Sequence, residues 1–260
     1  MALGDSFTEG LDDARPDGSY RGWADLVAAR LATEHRTRTH GRPPADESPD
    51  FRYANLAIRG RLFANVIEEQ VPLALKMRPD LISFAAGGND VLRRSFDGPS
   101  LVREFDRVIG QLRATGADVL IFRFADLTRR LPGARLIRPR VDLLNQAVGE
   151  VADRHGAHLV DLWHDKVFHA PELWSVDRLH LADVGHRRVA AHVLRGLGLE
   201  PDPAWLEIPA SITRSWAVAR AADARWMGQH LTPWIKRRLT GRSSGDAVTA
   251  KRPSLTALTD

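Results

Sequence analysis

The chain has 260 residues, 43% hydrophobic and 27% charged, with 37 Lys and Arg against 33 Asp and Glu and no cysteine. That balance excludes a disordered or fibrous protein and leaves room for one or two globular domains. The lack of cysteine removes disulfides, thiol nucleophiles and thiolate metal sites together, and no apolar run approaches the ~18 to 20 residues of a membrane-spanning helix.

The predicted elements alternate strand and helix, the order of a parallel sheet covered on both faces. A short apolar stub, Met1-Ala2-Leu3, runs into Gly4-Asp5-Ser6 and reads as a strand end turning sharply into a helix. A helix is expected over residues 22–35, then a Pro-, Arg- and acid-rich loop over 36–50 with little to bury. A strand over 51–57 follows, and a helix over 61–77 that Pro72 interrupts. Leu81-Ile82-Ser83-Phe84-Ala85-Ala86 is a strand, and the stripe Leu101, Val102, Phe105, Val108, Ile109 and Leu112 is one helix face closed by Gly116.

Residues 117–122 form a buried strand by their continuous apolar content, and a long loop is expected over 123–139. A helix over 140–155 turns Val141, Leu144, Ala147, Val148 and Val151 inward before Gly156 stops it. A last strand over 157–162 and a closing helix over 183–197 complete five strands in a flavodoxin-like three-layer α/β/α sandwich. Residues 1–200 are expected to form this domain and 201–240 a helical extension that Trp205, Trp216, Trp226 and Trp234 dock onto it. Residues 241–260 are expected to be a disordered basic tail.

The basic balance is local, since residues 236–260 hold six Lys or Arg and two Asp while the remainder holds 31 of each sign. Such a tail either touches nucleic acid or anionic lipid or is a solvated end, and its few interrupted charges favour the solvated end. Only Met1 to Gly4 precede the first turn, so the first strand looks clipped: either the natural product starts upstream, or the neighbouring strands let a short one suffice. No signal peptide fits before Ser6, and the chain reads as cytoplasmic.

Chemistry concentrates at the two ends of this domain. Ser6 follows Gly4 and Asp5, and Ser175-Val176-Asp177-Arg178-Leu179-His180 lies far downstream. Asp and His three apart on a loop can face the same way, the Asp orienting one ring nitrogen while the other takes a serine proton. Gly-Asp-Ser by itself equally describes a turn that caps a helix. Two further fragments fall at strand ends, where open α/β sheets hold their ligands: Asn55-Leu56-Ala57-Ile58-Arg59-Gly60 and Gly87-Gly88-Asn89-Asp90.

These four fragments, in this order, resemble the SGNH (GDSL-type) hydrolase family over roughly residues 1 to 195. The resemblance implies Ser6 as nucleophile, His180 as base and Asp177 as its partner. It also implies an oxyanion hole from the N–H groups of Ser6 and Gly60 and the Asn89 side chain. Phe7 stands where the family has leucine, and Ala57 where the second block often has its first glycine. Neither position supplies a catalytic group. Asp5 and Asp90 are read as structural anchors of their loops.

The expected activity is cleavage of a small-molecule carboxylic ester through an acyl-serine, with no cofactor and no metal. His164 and His169 lack a local third ligand for a metal. An acyltransferase using the same triad and a non-catalytic carbohydrate- or lipid-binding module are the alternatives. Arg129, Arg130, Arg135 and Arg138 either receive an anionic part of the substrate or lie on a solvated loop. Trp163, Phe168 and Trp174 either wall the substrate pocket or pack their own loop. Nucleic acid and stable membrane insertion are not expected, and the sequence leaves the oligomeric state open.

Overall fold

Strand β4 (Asp118–Arg123) shows how the pattern builds the fold. Val119 and Ile121 join the apolar cluster on one face of the sheet, Leu120 and Phe122 the cluster on the other, and none of the four is more than 1% exposed. A strand buried on both faces needs a helical layer on each. The computed structural model, which describes residues 1–39, 51–128, 133–208 and 244–258, supplies both layers.

The sheet order is β5-β4-β3-β1-β2-β6. Strands β1 (Ala2–Gly4), β2 (Arg52–Asn55), β3 (Leu81–Ala85), β4 and β5 (His158–Asp161) are mutually parallel, in the flavodoxin-like order expected. Helices α3 (Phe63–Asn65), α4 (Val71–Met77), α5 (Gly98–Arg113) and α6 (Ala134–His155) cover one face. Helices α2 (Gly22–Thr39) and α7 (Asp183–Gly196) cover the other. The short helix α1 (Ser6–Glu9) follows β1 directly. Phe105 of α5, 2% exposed against Phe63 and Phe84, is typical of this packing, and its truncation to Ala would cost about 3 to 5 kcal/mol.

At the C-terminal end of β1 a side chain takes over the hydrogen bonding. The Gly4 N–H donates to Gln70 Oε1 at 2.8 Å and Gln70 Nε2 returns a bond to the Gly4 carbonyl at 2.9 Å. Gln70 ends a π-helical turn, Val66–Gln70, in which the Val71 N–H reaches back to Val66. Proline at 72 lacks the N–H that regular winding needs, so the interruption expected there takes the form of a widened turn.

Several expectations are corrected. The sheet has six strands, not five: β6 (Arg252–Ala257) pairs antiparallel with β2 along the edge. It comes from the segment expected to be a disordered tail. Its Arg252 lies 5.9 Å over the Tyr53 ring, and its residues are exposed or half-buried throughout, as suits an edge strand. Helix α2 runs on to Thr39, and α6 starts at Ala134, enclosing Pro139 near its first turns. Residues 134–139 are therefore helix rather than loop. Residues 40–50 of the expected loop, Arg129, Arg130 and the segment expected to be helical, with Trp216, Trp226 and Trp234, lie outside the described residues. Among the described residues no helix is long and apolar enough to cross a membrane.

Candidate active site

The turn out of β1 is made possible by Gly4, whose φ is +153° and where a Cβ would stand 2.5 Å from the Ala85 carbonyl oxygen. Asp5 then caps α1, its Oδ1 accepting from the Phe7 N–H at 3.0 Å. Ser6 opens that helix and is 8% exposed. Phe7 locks the turn by ring contacts of 5.5 to 5.6 Å with Trp23, Phe122 and Phe124.

Across the sheet end, His180 Nε2 lies 3.0 Å from Ser6 Oγ and His180 Nδ1 lies 2.5 Å from Asp177 Oδ2. The other oxygen of Asp177 accepts from the N–H groups of Leu179 and His180, both at 2.9 Å, and from the Ser175 hydroxyl at 2.8 Å. Arg178 takes a left-handed φ of 62°, which folds the loop back so that acid and base face each other. Burial would raise the Asp177 carboxyl, but the hydrogen bond and charge of His180 and the two backbone donors outweigh it and hold it well below the usual range. Burial likewise works against a charged His180, yet Asp177, with Asp12 and Asp5 beyond it, raises the imidazole above 6.5.

Among the described residues the N–H groups of Ser6 and Gly60 have no hydrogen-bond partner. Gly60 has a φ of +74°, and its loop is pinned from one side by Glu9, whose carboxylate accepts the Arg59 N–H at 2.7 Å and pairs with the Arg59 guanidinium. Asn89 lines the same cavity as Ser6 and His180, and its amide nitrogen donates to Asp5 Oδ2 at 3.1 Å and to the Arg61 carbonyl at 3.0 Å. Asp90 anchors the neighbouring loop by accepting the Phe63 N–H at 2.9 Å. Gly60 does not line that cavity; the structure brings Asp5, Ser6, Asn89 and His180 together around it.

The cavity is about 100 Å³ and opens beside Ser6. Its walls are apolar: Leu11, Phe124 and Leu127, with Val141 and Leu144 from α6 and Phe168 and Trp174 from the loop before Asp177. Phe168 and Trp174 thus do wall the pocket, while Trp163 lies under the Arg138 guanidinium at 4.6 Å. Arg138 also pairs with Asp142 at 2.9 Å and Asp126 at 3.3 Å, and Arg135 is exposed on α6.

Sequence reasoning missed Asp12. Its Oδ2 lies 3.9 Å from His180 Nδ1 and 2.6 Å from Ser175 Oγ, whose single O–H it shares with Asp177. Asp12, Asp177 and His180 are also the one acid-and-imidazole grouping with metal-like spacing among the described residues, and each is already hydrogen-bonded or paired within the triad. No sequence signal marks Asp12, which reaches the site only through the fold. His186, a conceivable alternative base six residues after His180, is instead 1% exposed: it accepts from the Trp23 N–H at 3.3 Å and approaches the Leu11 carbonyl at 3.2 Å. Burial lowers it to about 4, so it is a neutral structural imidazole.

A model of the family described as "GDSL-like Lipase/Acylhydrolase family" matches residues 2–188. The chain belongs to that family. With that membership it is a carboxylic ester hydrolase. It is 27% identical over 198 residues to Esterase TesA of Pseudomonas aeruginosa, a match covering 74% of this chain and 84% of the relative. Among solved structures, Axe2, an acetylxylan esterase from Geobacillus stearothermophilus, aligns with a TM-score of 0.60 at 18% identity, covering 82% of this chain and 95% of the other. A lipase/acylhydrolase from Enterococcus faecalis aligns with a TM-score of 0.55 at 20% identity, covering 77% and 96%. These structural likenesses establish a shared fold.

Proposed function

We propose that this GDSL-family member hydrolyses carboxylic esters through a covalent acyl-Ser6 intermediate. The observation that carries the reading is the unbroken line from Ser6 Oγ through His180, 3.0 Å away, to Asp177 at the mouth of an apolar cavity. Ser6 Oγ attacks the ester carbonyl carbon as His180 Nε2 takes its proton, and Asp177 holds the Nδ1 proton and stabilises the imidazolium. The carbonyl oxygen becomes an oxyanion, received by the N–H groups of Ser6 and Gly60 and the Asn89 amide. Collapse breaks the bond to the alcohol, which leaves with the proton from Nε2. Water then repeats the sequence on the acyl group, releasing the acid and restoring Ser6.

The apolar walls favour an aliphatic acyl chain over acetyl. Acetylxylan is the named substrate of Axe2, but a hydrocarbon tail makes fuller use of Leu11, Val141, Leu144 and Trp174. Incubation with a fluorophosphonate followed by intact mass tests the mechanism. One adduct, located on Ser6 and absent from Ser6→Ala, is expected. Folded protein that takes no adduct would overturn the acyl-Ser6 mechanism.

A further inference from the structure

The segment that carries β6 lies beyond residue 188, where the family match ends, and it reaches back to the site. Lys251, just before β6, sends its ammonium among four oxygens: the carbonyls of Glu9 at 2.5 Å, Arg21 at 2.8 Å and Tyr20 at 3.1 Å, and Asp25 Oδ2 at 2.5 Å. Burial lowers the Lys251 pKa and Asp25 opposes that shift, so this cation is held by its cage rather than by water. Earlier in the same segment, Gly245 passes directly over the second block. A Cβ there would stand 2.0 Å from the Arg59 carbonyl oxygen and 3.0 Å from Ile58 Cγ2. No positive φ is involved at Gly245, so glycine is required for room.

Both contacts fall on groups that orient the site. The Arg59 carbonyl and the Gly60 N–H belong to one planar peptide unit, so whatever fixes the oxygen fixes the direction of the N–H. Glu9 grips the same residue through the Arg59 N–H at 2.7 Å. The carbonyl of Glu9, held by Lys251, closes the short helix that Ser6 opens. Nucleophile helix and oxyanion peptide are thus fastened by one added strap.

We propose that Gly245 and Lys251 are positioning residues of the catalytic site, setting the Arg59–Gly60 peptide and the end of α1 from outside the region shared with the family. This rests on the reading of Gly60 as an oxyanion donor. Misplacing a donor by about 1 Å costs on the order of 100-fold in rate.

The test uses the full chain with a nitrophenyl butyrate substrate. Gly245→Ala and Lys251→Ala are each expected to lower kcat by about 10- to 100-fold with KM within about twofold. Added n-propylammonium, which replaces the deleted side chain, is expected to restore Lys251→Ala and to leave Gly245→Ala and Ser6→Ala unchanged. Lys251→Gln, which keeps two N–H donors, supplies the measurement if the alanine variant does not fold. Wild-type kcat in Gly245→Ala and in the Lys251 variant, with a lowered melting temperature or without one, would overturn the proposal while activity loss in Ser6→Ala and Asn89→Ala left the proposed function standing. Full activity in Ser6→Ala would sink the proposed function itself.

Discussion

The amide nitrogen of Asn89 bonds to Asp5 Oδ2 at 3.1 Å and to the Arg61 carbonyl at 3.0 Å, so both of its hydrogens are engaged in the resting site. An oxyanion that recruits Asn89 must therefore draw one hydrogen from Asp5 or from Arg61. In return the amide is held rigidly at the cavity wall before substrate arrives, which is how a donor is preorganised. Asn89→Ala is expected to lower kcat by about 100-fold or more with little change in KM. Asn89→Asp should be worse, since it sets a carboxylate against both Asp5 and the developing oxyanion. Steady-state kinetics on a nitrophenyl ester check this, and an unchanged kcat in either variant would reduce Asn89 to a turn residue.

Asp5 gives a second prediction, on stability. Burial raises its pKa from 3.8 to about 6, against the Phe7 N–H and His180, which favour the charged form. The folded protein then binds the Asp5 proton more tightly than the unfolded chain does. Its contribution to stability is fully present below the unfolded value and is lost as pH rises through the folded one, a total change on the order of 3 kcal/mol, of which about 2 falls between pH 4 and 6. Asp5→Asn, which preserves the cap, is expected to flatten this fall. Urea denaturation at a series of pH values measures it, and identical slopes for wild type and variant would refute the assignment.

A third prediction concerns the base. His180 must be neutral to accept the Ser6 proton, and its pKa is raised, chiefly by Asp177 acting against burial. The acid limb of kcat/KM should therefore lie above pH 6.5, and Asp177→Asn should move it to lower pH. Asp12, 3.9 Å from Nδ1, still faces the ring in that variant. Asp177→Asn should thus retain more activity than His180→Ala, and Asp12→Asn/Asp177→Asn should lose that remainder. Equal rates for the single and double Asp variants would show that Asp12 contributes nothing.

The sequence revealed most where a residue's own neighbours decide its role. Parallel strands buried on both faces, the α5 stripe and the loop that holds Asp177 and His180 all rest on local patterns, and their placement follows. Partners distant in sequence were invisible. Gln70 completing the hydrogen bonds of Gly4 spans 66 residues, and Ser175 reaching Asp12 spans 163. Strand β6 was missed because an edge strand needs no apolar run, and Lys251 and Arg252 read as solvated tail charge until the fold gave them Asp25 and Tyr53. The early start of α6 was hidden by Pro139, which propensity treats as a stop but which the exposed face of a first few turns accommodates.

The final prediction tests the acyl cavity. Val141 of α6 lines it at 9% exposure, together with Leu144. If the acyl chain lies there, each buried methylene contributes about 0.8 kcal/mol, or roughly a fourfold gain in kcat/KM, until the cavity is full. Wild-type protein should then prefer butanoyl and longer esters to acetyl. Val141→Phe fills the space without touching Ser6, His180 or Asp177, so turnover of the acetyl ester should persist while that of the octanoyl ester falls by at least about 10-fold. A matched series of nitrophenyl esters reads the split directly. A parallel loss on short and long acyl chains would place the acyl group elsewhere and leave this cavity without a role in specificity.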